Sequence, residues 1–222
     1  AGGGTWANAA SNYNVAIGNL SMDGPLNGAS NNTTIGYQCL TDLTQGDQNT
    51  ALGYRSLHQV TTGGNNIGIG ANVGFAMTTT ANTVLIGTSA GGAINSADAD
   101  GTVAIGYQAL QDLTSGQYNN ALGYRALADL TTGDYNVAIG HLTMEVHTTG
   151  VRNTAIGYAA MSNTDAGSTS SDSDDNIFIG YGAGSGAWTN AKSENNVAVG
   201  GFSMDSPLEG ALYNTALGNY TL

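Results

Sequence analysis

Asn136-Val-Ala-Ile-Gly140 is one copy of a five-residue phrase, Asn-x-x-aliphatic-Gly, that recurs along the whole chain. Asn14-Val-Ala-Ile-Gly18 and Asn49-Thr-Ala-Leu-Gly53 are further copies, and two copies that end at Gly87 and Gly106 have Thr in place of Asn. The twelve terminal glycines lie 17 to 23 residues apart, at Gly18, Gly36, Gly53, Gly70, Gly87, Gly106, Gly123, Gly140, Gly157, Gly180, Gly200 and Gly218. This regular spacing indicates a chain built from short repeats.

Each position of the phrase predicts a structural role. The residue before the glycine is Ile, Leu or Val in all twelve copies, which predicts a strand position that faces the core, as at Ile139. The preceding residue is Ala in eight copies, so another part of the assembly is expected to approach that face closely. The glycine is predicted to form a tight corner with positive φ. The Asn side chains are predicted to form a ladder that satisfies buried backbone groups at a corner.

A second apolar position follows each corner. Four residues after the glycine the chain carries Leu or Met in most copies, which predicts a second core strand: Met22, Leu40, Leu57, Leu110, Leu127, Met144, Met161, Met204 and Leu222. Leu130-Thr-Thr-Gly133 and similar segments then predict a turn. Cys39, the single cysteine, occupies a slot that elsewhere holds Ser or Ala and is predicted to be a small buried filler.

A unit of about 17 residues cannot bury its own apolar face, but stacked units can pair as parallel strands. The sequence therefore predicts an all-β protein: a parallel β-solenoid of about twelve 17-residue coils. We expect one solenoid domain over residues 1–222, with an irregular lead-in at 1–13 and loop inserts at 164–176 and 188–195.

The composition limits the possible partners. The chain has 34 Gly, 4 Lys and Arg, and 16 Asp and Glu, which give a formal net charge of −12. Because no basic patch is available to meet phosphate groups, no nucleic-acid partner is expected. No apolar run approaches the roughly 18 residues that span a bilayer, so no membrane insertion is expected.

The Asn-x-Ala-Ile-Gly phrase resembles the head repeats of YadA-like trimeric autotransporter adhesins, which are β-rolls wound as trimers. The longer form Asn-Thr-Ala-Ile-Gly-Tyr-x-Ala, at residues 153–160, is similar to repeats in bacteriophage tail fibres and tailspikes. The resemblance covers almost the whole chain. It implies a homotrimer, contacts with other fibre or virion proteins, and attachment to a host cell-surface glycan or protein.

The expected function is that of a structural and adhesive fibre segment, most simply part of a bacteriophage tail fibre or spike at the virion surface. The head of a bacterial trimeric adhesin, at the extracellular cell surface, is the alternative. A glycan-cleaving tailspike and an ice-binding solenoid are further alternatives. The histidines His58, His141 and His147 are not at metal-ligand spacing and no acid clearly pairs with a nucleophile, so no enzyme activity is expected.

Two inserts supply candidate site residues. Asp172, Asp174 and Asp175 lie in the acidic insert and offer oxygen ligands for Ca²⁺; a solvated polar loop is the alternative, and no other cofactor is expected. Trp188 and Lys192, in the second insert, are expected to be exposed and to contact a partner.

Charged and aromatic residues also recur in fixed slots. Arg55 and Arg125 share one slot, for which local charge balancing competes with recognition of a glycan or carboxylate. Asp112 and Asp129 share another and are expected to point into water, because stacked like charges repel. Tyr follows the corner glycine in six coils, which predicts an aromatic ladder that stabilises the strand face or stacks on sugars.

Overall fold

The computed structural model describes residues 10–164, 173–188, 191–208 and 210–222. Within them the protein is a parallel β-solenoid with one three-residue strand in each coil. The strands are β1 Val15–Ile17, β2 Thr33–Ile35, β3 Thr50–Leu52, β4 Ile67–Ile69, β5 Val84–Ile86, β6 Val103–Ile105, β7 Asn120–Leu122, β8 Val137–Ile139, β9 Thr154–Ile156, β10 Ile177–Ile179, β11 Val197–Val199 and β12 Thr215–Leu217. They form one twelve-stranded sheet in chain order, which confirms the predicted fold class and coil length.

Equivalent residues of successive coils are paired. Ala138 of β8 pairs with Ala121 on one side and Ala155 on the other, and every pair is parallel. Each position of the repeat therefore forms a column along the rod. The eleven steps between strands, at about 4.8 Å each, give a sheet roughly 53 Å long. The only helical segment in the described residues is the three-residue 3-10 turn Ala97–Ala99. The described residues therefore contain no helix that is long enough to cross a membrane.

The middle residue of each strand faces the inside of its coil, and its two neighbours face outwards. Ala138 is fully buried, whereas Ile139 is 38% exposed. The prediction that the aliphatic residue before the glycine faces the core is therefore wrong, and the Ala position packs inside the coil rather than against another subunit. The reason is that consecutive strand residues point to opposite sides, and the narrow coil interior accepts the small side chain.

The second apolar position is buried as predicted, but no strand forms there. Leu127 is fully buried and has φ +53°, and Arg125 has φ +51°. Left-handed backbone costs a non-glycine residue roughly 1–2 kcal/mol. Hydrogen bonds to the next coil hold this turn, such as the one from Leu127 N to Thr143 O (3.0 Å). Each described coil therefore has one strand, not the two that the sequence predicts.

The corner glycines have the predicted conformation, and close packing enforces it. Gly123 has φ +148°, and a Cβ atom at this position would lie 2.6 Å from the carbonyl carbon of Gly140 in the next coil. Gly106 has φ +143° and meets Gly123 at the same distance. A side chain at either corner would therefore prevent the stacking of the coils.

The Asn ladder is confirmed. Asn136 is buried and donates from Nδ2 to the carbonyl of Gly150 (2.8 Å) and to Oδ1 of Asn119 (3.1 Å). Its own Oδ1 accepts hydrogen bonds from the backbone N–H of Asn153 (3.0 Å). The amide thus satisfies backbone groups inside its own coil and links three successive coils.

Candidate functional site

Trp188, an expected partner contact, lies in the core. Its side chain is fully buried and packs on Phe178, with 5.6 Å between the ring centroids. The expectation that Trp188 is exposed is therefore wrong. Trp188 follows its corner glycine by eight residues, and the core residues Leu43 and Leu113 follow theirs by seven. This near-match to a core column is the signal that could have placed it correctly.

Lys192 is on the surface and forms an ion pair. Its Nζ lies 3.0 Å from Oε1 of Glu194, and its side chain is 52% exposed. The charge is therefore balanced within its own loop.

The acidic insert places its described carboxylates on neighbouring protein groups. Asp174 accepts a hydrogen bond from Val151 N (2.7 Å), and burial raises its pKa. Asp175 accepts two hydrogen bonds from Arg152 (2.6 and 2.7 Å), which lower its pKa. Asp172 lies outside the described residues. In the part of the chain that the structure describes, no three His, Cys, Asp or Glu side chains group closely enough to hold a metal ion.

Asp174 belongs to a column that the sequence interpretation missed. An Asp two residues before the ladder position accepts a hydrogen bond from a backbone N–H of the preceding coil, 2.6 to 2.8 Å long; the residues are Asp47, Asp100, Asp134 and Asp174. The constant offset from the ladder is visible in the sequence and could have revealed this structural role.

Arg125 shows the predicted charge balancing. Its Nε lies 2.7 Å from Oε1 of Glu145 in the next coil, and its Nη2 lies 3.9 Å from Oδ1 of Asp129. Asp129 is partly exposed, and Asp112 is exposed, as expected for stacked carboxylates. Burial raises the pKa of Asp129 most, and the charge of Asp112 raises it further, as expected from repulsion between carboxylates that share a slot.

Arg55, in the same slot, has a different environment. Its Cζ lies 5.0 Å from the ring centroid of Phe75 and 5.8 Å from that of Tyr54. The Nε atoms of both arginines are buried without a well-oriented hydrogen bond to a described residue, but only that of Arg125 lies close to a carboxylate, that of Glu145. Charge balancing is therefore confirmed at Arg125 but not at Arg55, because the two residues that face Arg55 from positions equivalent to Asp129 and Glu145 are Gln59 and Phe75.

A cleft of about 350 Å³ opens beside Arg55. Its lining comes from four successive coils and includes Asn72, Phe75, Gly92, Gln111 and Asp112. None of the lining residues belongs to a strand, so the cleft lies among the turns that follow the corner glycines.

The aromatic ladder forms two stacks on either side of this cleft. Tyr37 and Tyr54 stack at 5.6 Å between centroids. The second stack joins Tyr107, Tyr124, His141, Tyr158 and Tyr181 at 4.8 to 5.3 Å. Ala71 and Thr88 occupy the slot between the stacks. The rings are partly exposed and contact each other along the rod, as the stabilising interpretation predicts.

The first and third residues of the twelve strands form the outer face. These 24 positions hold Val, Ile, Leu, Thr and a single Asn, and no charged residue. The most exposed aliphatic members are Val15, Ile17, Ile35, Leu52, Ile67, Leu122, Ile139, Ile177 and Leu217. A solvated face of a sheet is normally polar. The outer face is therefore unlike a surface that stays in water.

Compared with protein-family models, curated proteins and solved structures, the chain has no significant match. The outer face and the Arg55 cleft both depart from an ordinary solvated exterior.

Proposed function

We propose that the protein is a structural and adhesive fibre segment in which three copies of the chain associate through their outer faces. In this proposal it forms part of a bacteriophage tail fibre or spike at the virion surface, contacts other fibre proteins and takes part in host attachment. Its role is structural rather than catalytic. The observation that carries the proposal is the uncharged and mostly aliphatic outer face, which continues along all twelve strands of a protein with net charge −12.

A large apolar face of this kind needs a cover. Contiguous exposed apolar patches larger than roughly a few hundred Å² are rare on monomeric proteins and mark interaction sites. The columns of the outer face repeat at the strand spacing of about 4.8 Å over the whole rod. A parallel copy of the same chain has the same repeat and matches every step, so a second and a third copy are the best occupants.

The number of copies follows from the resemblance to trimeric adhesin heads and phage fibres. Each coil contributes two outward columns, such as those that contain Val137 and Ile139. In a trimer around a threefold axis, one column contacts one neighbouring copy and the other column contacts the second copy.

The oligomer is tested with two matched double variants. Leu52→Glu with Leu122→Glu places charges on the outer face, and Thr62→Glu with Thr132→Glu places them in exposed turns of the same two coils. Sedimentation velocity is expected to show a trimer for the unchanged protein and for the turn variant. The outer-face variant should lose the trimer. A stable, folded monomer of the unchanged protein removes the trimer from the proposal.

Attachment is tested with fluorescently labelled protein and whole cells. Saturable binding to bacteria supports the phage assignment. Saturable binding to animal cells but not to bacteria favours the head of a bacterial adhesin. Binding to neither contradicts the attachment role.

A further inference from the structure

Among the four Lys and Arg side chains, Arg55 is the one that does not lie within 4 Å of a carboxylate of the described residues. Its three counterparts are paired: Arg125 with Glu145, Arg152 with Asp175 and Lys192 with Glu194, at 2.6 to 3.0 Å. In a protein with 16 acidic residues an unpaired arginine needs a specific cause.

The cause is a local change in a duplicated surface. Residues 36–57 and 106–127 are close copies, so Arg55 and Arg125 are equivalent. The Glu that pairs with Arg125 lies 20 residues after it, and the residue at that offset from Arg55 is Phe75. The substitution removes the carboxylate and provides an aromatic ring that holds the guanidinium 5.0 Å from its centroid.

The surface next to this arginine is hollow because the same slot then holds a glycine. Gly92 follows Phe75 in the column, and Gln111 follows Gly92. A Cβ built on Gly92 would have its nearest neighbour, the carbonyl oxygen of Ser89, at 3.4 Å, which is ordinary van der Waals contact, so a side chain can be accommodated at this position. The resulting cleft of about 350 Å³ lies near the lower end of the roughly 300–1,000 Å³ range of small-ligand sites.

We propose that the cleft binds a carboxylated sugar, such as a uronic or sialic acid residue of a surface glycan. Arg55 receives the carboxylate, for which a guanidinium is the best partner in proteins. Phe75 packs against an apolar face of the sugar ring. Asn72, Gln111 and Asp112 form hydrogen bonds with its hydroxyl groups. The choice of a sugar over other carboxylates rests on the proposed attachment function.

The chemistry also limits the affinity. One arginine in a chain of net charge −12 attracts an anion only at short range, since dissolved salt screens charge interactions beyond a Debye length of about 8–10 Å. A single sugar is therefore expected to bind in the millimolar range. Three copies in a fibre, each with one cleft, would raise the apparent affinity for a multivalent glycan.

The test uses methyl glucuronide, a methyl sialoside, the neutral methyl glucoside and succinate as probes. Binding to the full chain is followed by saturation-transfer NMR and calorimetry. Arg55→Gln removes the charge, and Gly92→Gln fills the cleft with the side chain that Gln111 carries one coil later. Arg125→Gln is the matched control. Thermal melts verify that each variant is folded, and Gly92→Gln decides alone if Arg55→Gln does not fold.

At least one acidic sugar is expected to bind, and at least tenfold more tightly than the glucoside. Both cleft variants should lose this binding at least tenfold, and Arg125→Gln should keep it. The proposal is overturned if no acidic sugar binds at about 10 mM, if the glucoside binds equally well, or if Gly92→Gln binds as the unchanged protein does. Succinate that binds as tightly as the sugars overturns the sugar assignment. Cell binding by the unchanged protein without any cleft binding leaves the attachment function standing and removes this inference alone.

Discussion

Phe178 packs directly against Gly184 inside one coil. A Cβ atom on Gly184 would lie 2.6 Å from Cε1 of the Phe178 ring. Most coils have Ala at the strand centre and Leu or Met at the second core position, whereas this coil has Phe at the first position and Gly at the second. Leu85 and Gly91 show the same combination of a large strand centre and a glycine at the second position. A Cβ atom on Gly91 would lie 3.0 Å from Cδ2 of Leu85. The two positions therefore share one interior volume.

This relationship predicts strong coupling between the two positions. Phe178→Ala alone should lower the free energy of unfolding by about 3–5 kcal/mol, because it leaves a cavity. Gly184→Met alone should cost about 1–3 kcal/mol through overpacking. The double variant restores the Ala and Met of the neighbouring coils and should cost less than the sum by about 2 kcal/mol. Guanidinium denaturation at one protein concentration measures the cycle, and additive costs would contradict the shared volume.

Ala138 and Ile139 are neighbours on β8 that face opposite sides, so charges there should have opposite effects. Ala138→Asp buries an unpaired carboxylate and should cost several kcal/mol, on the order of the 2–7 kcal/mol of an unsatisfied polar group. Hydrogen exchange should then rise in this coil and in both adjacent coils, because each coil is stabilised by its neighbours. Ile139→Asp should leave exchange inside the coil unchanged but weaken association of the copies. Exchange mass spectrometry measures the first effect and sedimentation the second. The reverse pattern would show that Ile139, and not Ala138, faces the interior of the coil.

The sequence was sufficient for the period, the parallel pairing, the corner glycines and the Asn ladder, since each depends on positions that repeat. It could not decide which side of a strand faces inwards. Ala138 and Ile139 are both apolar, and the alternation of side chains along a strand shows only that the two residues face opposite sides. The width of the coil interior decides, and that width depends on the left-handed turn around Leu127, where the sequence predicts a strand.

The candidate site was less predictable because it depends on contacts between coils. Arg55 and Arg125 have the same local sequence, Gly-Tyr-Arg, and differ through Phe75 and Glu145 in the next coil. Trp188 has the features of an exposed anchor in a loop, yet it fills the space beside Phe178. Only the register between coils shows these partners.

Thr102 interrupts the Asn ladder, and its hydroxyl oxygen is buried with no hydrogen-bond partner among the described residues. Thr102→Asn is expected to stabilise the protein by about 1 kcal/mol, the net value of a typical hydrogen bond. Its Nδ2 should donate to the carbonyl of Gly116, as that of Asn119 donates to Gly133 O (2.7 Å). The matched change Asn136→Thr should destabilise. Thermal unfolding of both variants is the measurement, and a loss of stability in Thr102→Asn would contradict the prediction.

Cys39 should be unreactive in the folded protein. It is fully buried, its Sγ lies 2.8 Å from the carbonyl oxygen of Gly53, and burial raises the pKa of its thiol. Because the thiolate is the reactive form, a raised pKa and burial both slow attack on a disulfide reagent. Labelling should require unfolding, whereas a cysteine at the exposed Thr132 in a Cys39→Ser background should react at once. Equal rates at both positions would show that the coil opens readily around Cys39.

The carboxylate of Asp129 gives the stability a defined pH dependence. Burial, and then the charge of Asp112, raise its pKa, which Arg125 partly offsets. A folded-state pKa above the unfolded value means that the linked stability is present below the unfolded pKa of about 3.9 and is lost as the pH rises through the folded pKa. Asp129→Asn removes this loss while Arg125 keeps its contact with Glu145.

Asp129→Asn should therefore be more stable than the unchanged protein at pH 7 and show no gain near pH 3. The gain should be only a few tenths of a kcal/mol, because the side chain is 39% exposed and the solvent screens its charge. Thermal unfolding of both proteins at the two pH values measures the difference, and the comparison at pH 3 is the control for effects of shape. An equal gain at both pH values would mean that packing, and not the charge of Asp129, changes the stability.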